Sequence, residues 1–175
     1  MSFLKIILGI PLILAVSLGY SVSDDSLDDS DELPFVEIQP LTNLQKDAEL
    51  IKTNGTPLIL FFTQDHCLYC QFVIEEQLKP LLRNDIQKHQ FIVRSIETGY
   101  GETIINFDGS KIDLSEIEQK YKIYVTPAVV FIDHNGNQIA PAIIGVANTQ
   151  MYSEDFDASL EKSRQHLTKE LAHTP

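Results

Sequence analysis

Cys67 and Cys70 are the residues best suited to chemistry in this 175-residue chain. They are its only cysteines and stand as Cys67-Leu68-Tyr69-Cys70. Three chemistries use that spacing: a structural cross-link, metal ligation and thiol–disulfide exchange. A cross-link closing so short a loop removes little unfolded-state entropy and stabilises little. Metal sites with this spacing normally take two further ligands. A soft copper or zinc carrier using Cys67, Cys70 and His66 is therefore the alternative reading, and no metal site is expected. His89, His134, His166 and His173 are scattered, and none has ligand spacing with another.

Exchange requires one sulfur at a helix start and the other a turn inside. Leu58-Ile59-Leu60-Phe61-Phe62 is a continuous apolar run that reads as a central strand buried on both faces. The loop 63–66 leads to Cys67, and a helix is expected from there to about Leu82. Its Val73, Ile74, Leu78 and Leu81 can face a core, and Pro80 limits how far it runs undistorted. Free N–H groups and the helix dipole favour negative charge at Cys67, the expected nucleophilic thiolate. Cys70 is the expected resolving thiol. A protonated His66 would stabilise that thiolate further; the plainer reading is a solvent-facing loop histidine. Tyr69 either touches substrate or covers the sulfur pair.

The other elements follow from periodicity and turn chemistry. Leu44 to Lys52 reads as a short helix with Leu44, Ala48 and Ile51 on one face, stopped at Asn54-Gly55-Thr56-Pro57. Gln90 to Ile96 is the next strand. The glycine-rich stretch 99–111 is a loop or small hairpin. Asp113 is a candidate N-cap with Glu116 completing a capping box, opening a helix to about Tyr121. Ala128 to Ile132 is a second buried strand. Asn135-Gly136 signals a hairpin, and 138–144 returns as its partner, with Pro141 implying an edge position or a bulge. Ser153 can cap a last helix with Phe156, Leu160, Leu167 and Leu171 on one stripe. A βαβ unit followed by a ββα unit implies a central mixed sheet flanked by helices, an α/β fold.

Just before the second buried strand stands Val125-Thr126-Pro127. Strand, loop, C-x-x-C at a helix start, Thr-Pro before a later strand, then Asp133-His134-Asn135-Gly136 at a hairpin: this order resembles thioredoxin-fold proteins over roughly Leu44 to Leu171. Its Phe107 to Lys111 loop is similar to that of the exported SoxW and thioredoxin_2 type. The resemblance implies a thiol–disulfide oxidoreductase in which Pro127 is cis beside the sulfur pair. Thr126 would then offer backbone hydrogen bonds to a cysteine-containing substrate protein. It also implies that no dissociable cofactor is needed, because the Cys67–Cys70 disulfide carries the electrons. Departures are plain: His66 precedes the motif, no tryptophan is present, and Phe61 replaces the buried aspartate of classical thioredoxins. Direction stays open between a reductase, the preferred reading, and an oxidase or isomerase. A non-catalytic binding module is disfavoured by the intact cysteine pair and Thr126-Pro127.

The ends of the chain bear on compartment. Lys5 precedes an almost wholly apolar run from Ile6 to Leu18, shorter than the roughly 20 residues of a membrane span. Residues 1–23 read as a secretory signal peptide or an N-terminal anchor, so the protein is expected to be exported, as in a bacterial periplasm. Residues 24–34, rich in aspartate and serine, read as an acidic disordered linker. Residues 35–175 are the folded domain. A net charge of -12 repels phosphate backbones, so no nucleic-acid partner is expected. A membrane electron donor or acceptor is expected, and a monomer.

Overall fold

The computed structural model describes residues 35–173 except 86, 88 and 100. The expected signal or anchor segment, 1–23, and the expected acidic linker, 24–34, lie outside the described residues. Among the described residues, no helix is long and apolar enough to cross a membrane.

The order of elements is α1 (Leu44–Asn54), β1 (Leu58–Thr63), α2 (Leu68–Val73), a π-helical turn (Ile74–Leu78), α3 (Lys79–Arg83), β2 (Ile92–Glu97), β3 (Thr103–Ile105), β4 (Lys111–Asp113), α4 (Leu114–Tyr121), β5 (Ala128–Ile132), β6 (Ile143–Ile144) and α5 (Thr149–His173). The main sheet runs β2-β1-β5-β6, with β1 and β2 parallel and the other pairs antiparallel. This is the expected mixed sheet flanked by helices, a thioredoxin-like fold. The two continuous apolar runs became its inner strands: Leu58 to Phe62 and Ala128 to Ile132 are all buried. Each of their Leu, Ile, Val and Phe side chains contributes about 1.5–3 kcal/mol through burial. On β5, Phe131 meets Phe156 of α5 at 6.1 Å between ring centroids.

Local signals set most element ends. Asn43 caps α1 by accepting from the Lys46 N–H, and Gly55 ends that helix at φ 66. Asp113 and Glu116 form the expected capping box on α4. The stretch 99–111 contributes one arm of a small hairpin, β3 paired with β4. At Asn135-Gly136 the buried Asp133 carboxylate organises the turn, accepting from the N–H groups of Asn135 and Asn137 and from the Asn137 amide.

Three expectations change. The returning strand is only Ile143–Ile144, joined further back by a bridge between Ile132 and Gln138. Pro141 has no N–H for a ladder, so pairing breaks around it. The long helix after Cys67 passes through a π turn before Pro80. There the Lys79 N–H reaches back to the Ile74 carbonyl, a wider turn that accommodates a residue unable to donate. The last helix starts earlier than Ser153, with the Asn148 side chain accepting from the Met151 N–H. The Leu171 side chain lies outside the described residues.

Asp47 of α1 is buried against Arg94 of β2, with hydrogen bonds of 3.1 and 2.7 Å. Burial pushes the Asp47 carboxyl up, opposed by the hydrogen bond and charge of Arg94. Arg94→Met should cost about 3 kcal/mol, the lower end for a buried pair because Arg94 keeps 22% exposure. A folded-state value above the unfolded one favours the fold most at low pH and loses that contribution as pH rises through it. Removing Arg94 pushes Asp47 up further. The deficit of Arg94→Met should therefore shrink as pH falls from neutrality toward 4, and urea melts at several pH values check this.

Candidate active site

Register brings the site together. Phe62, near the end of β1, pairs with Ala128, the first residue of β5. The loop leaving β1 carries Cys67, and the segment entering β5 carries Thr126 and Pro127, so both reach the same end of the sheet. The Thr126–Pro127 peptide bond is cis. The Pro127 carbonyl accepts from the Gly145 N–H at 2.8 Å, which ties the end of β6 to this segment.

Cys67 and Cys70 form a disulfide with Cα atoms 5.2 Å apart. Cys67 is the N-cap of α2, and its sulfur accepts from the Cys70 N–H at 3.1 Å. The Thr126 hydroxyl lies 3.9 Å from the same sulfur. Cys70 is fully buried among core residues, whereas Cys67 is partly exposed. His66 is exposed and holds φ 57, a left-handed conformation uncommon outside glycine. Tyr69 is more than half exposed, so it does not seal the sulfur pair. Phe61 is fully buried, so no ionisable side chain occupies its position on β1.

The structure adds residues that the sequence did not single out. Leu68 is 83% exposed and Tyr124 82%, and Val125, Ile144 and Met151 are also exposed. Leu68 lies between the cysteines, Tyr124 and Val125 lead into Thr126, and Ile144 pairs with Ala128. Met151 lies in the first turn of α5, where a groove of ≈ 380 Å³ runs between that helix and β6. Two large apolar residues just before Thr126-Pro127 were a readable signal. Ile144 was not, because its outward face depends on a register that Pro141 obscures.

At the same end of the sheet, Asp65 in the loop before Cys67 and Glu97 at the end of β2 share a hydrogen bond. That bond, then burial and the negative charges of Asp65 and Glu102, push the Glu97 carboxyl up. Among the described residues, the metal-type donors that meet are Asp133, His166 and Glu170, at the far end of β5. His166 thus gains partners that its sequence spacing to other histidines did not suggest.

The model of the thioredoxin-like domain family matches residues 44–162. No curated protein matches. Among solved structures, a thioredoxin-like protein from Clostridium perfringens is 18% identical, with 79% of this chain and 94% of that one covered at a TM-score of 0.45. A thioredoxin from Thermus thermophilus is 17% identical, with 70% and 87% covered at 0.46. The oxidised mitochondrial thioredoxin 3 of Saccharomyces cerevisiae is 24% identical, with 69% and 94% covered at 0.41. The family model spans well over half of the chain and includes both cysteines and the Thr126–Pro127 segment, so this protein belongs to the thioredoxin-like domain family and is a thiol–disulfide oxidoreductase.

Proposed function

We propose that this protein is an exported reductase of protein disulfides in which Cys67 attacks and Cys70 resolves. The observation that supports this division most strongly is the difference in burial: Cys70 has no exposure, and Cys67 can be reached. In the reduced form, the helix start and the Thr126 hydroxyl favour the Cys67 thiolate. That thiolate attacks one sulfur of a substrate disulfide. A Cys67–substrate bond forms and the other substrate sulfur leaves as a thiolate, which takes a proton from water. Cys70 then loses its proton to solvent and attacks the Cys67 sulfur. The second substrate thiolate leaves and the Cys67–Cys70 disulfide forms. Two electrons pass from the dithiol to the substrate, and a membrane-bound dithiol donor restores them.

An extended substrate segment lies against Thr126, where backbone groups beside the cis-proline are offered to it. Leu68, Tyr69, Tyr124 and Val125 supply exposed apolar contact area around the sulfur. The reading of export rests on the apolar run near the N-terminus. The preference for reduction rests on resemblance to reducing members of the family.

Three outcomes are expected. Cys67→Ser should abolish turnover of a disulfide-bonded protein with dithiothreitol as donor. Cys70→Ser should instead accumulate a mixed disulfide, seen as an added substrate mass on the intact protein. A mixed disulfide trapped on Cys67→Ser and none on Cys70→Ser would defeat the division of roles. Equilibration with glutathione should place the pair near the thioredoxin value of about -270 mV, and a value near about -120 mV would mean an oxidant instead. His66→Gly keeps the left-handed backbone and removes the imidazole. If the imidazolium stabilises the thiolate, the Cys67 titration followed by thiolate absorbance moves to higher pH; an unmoved curve leaves His66 as a solvent-facing loop residue.

A further inference from the structure

We propose that Asp133, His166 and Glu170 form a binding site for a divalent transition-metal ion of the zinc type, at the end of the sheet opposite the disulfide. The proposal does not depend on the redox reading. β5 runs away from Pro127, so Asp133, just beyond Ile132, lies at the far end. α5 runs in the same sense from Thr149, and His166 sits about 25 Å along it. His166 and Glu170 are four residues apart and share one helix face. One ligand atom from each of the three residues lies within 4.8 Å of the others. Donors around a zinc ion stand about 3.3 Å apart, so small side-chain rotations close the set.

Two features favour a cation here beyond proximity. Asp133 is buried, and three hydrogen bonds from Asn135 and Asn137 fix its carboxylate. A carboxylate has about four acceptor sites, so one is left for a ligand, and the bonds on the other three orient it as outer-shell partners do. The second feature is charge. One ligand oxygen of Asp133 and one of Glu170 lie within 4.8 Å of each other, and a cation held between them would attract both. Lys120 attracts Asp133, but its ammonium is held over the Phe107 and Tyr121 rings. One imidazole nitrogen and two carboxylates suit zinc and its neighbours better than calcium or copper(I). Bound metal would tie the later turns of α5 to the hairpin after β5.

The test is calorimetric titration of zinc chloride into the full chain with Cys67–Cys70 oxidised, so that the thiols cannot bind. One zinc per chain is expected, with a rise in thermal midpoint. His166→Ala and Glu170→Gln change exposed or half-buried side chains, and each should weaken binding at least about tenfold and remove the thermal shift. No binding to the oxidised chain, or unchanged binding by His166→Ala, overturns the proposal. So does zinc that binds only after reduction and survives His166→Ala, because it then belongs to Cys67 and Cys70.

Discussion

The antiparallel pairing of β1 with β5 is the constraint on which the site depends. Both strands are buried along nearly their whole length, so both are written as unbroken apolar runs. A slip of one residue would invert every side chain of a strand relative to its neighbours. With Phe62 opposite Ala128, the exit of β1 and the entrance of β5 are fixed side by side. Cys67 follows one and the cis-proline precedes the other. Thr126 meets the Cys67 sulfur because two strands far apart in sequence are locked in one register.

The helix after Cys67 translates that placement into unequal exposure for two identical side chains. Its first turn holds Cys67 at the cap, where the sulfur accepts from the Cys70 N–H, and turns Cys70 into the core. Farther along, Pro80 cannot donate to the helical ladder. The π turn from Ile74 to Leu78 absorbs that defect without ending the helix, so Leu78 and Leu81 still reach the core. The helix therefore stays anchored behind the reactive end, and the outer edge of β2 is covered by the segment through Leu41, which bonds to Ser95 on both sides.

The two ends of the sheet differ in character. Around the disulfide, Leu68, Tyr69, Tyr124 and Val125 are exposed and apolar, set in a strongly acidic protein. At the other end, a buried carboxylate organises a turn and meets a histidine and a glutamate from the last helix.

Much of this was legible in the sequence because it is local. Spacing alone identified the cysteine pair, and apolar runs of the right length identified β1 and β5. Asp113-Leu114-Ser115-Glu116 announced its capping box, since every bond of such a cap lies within four residues. Even the fold class followed from element order. Tertiary structure decided what depends on distant partners. It exposed Ile144 and Tyr124, opened a π turn before Pro80, shortened the strand after Asn135-Gly136, and brought His166 to Asp133. Side-chain patterns encode which face is apolar and where a helix can start. Which surfaces then meet is a property of packing, set only when register and helix direction have placed residues dozens of positions apart against each other.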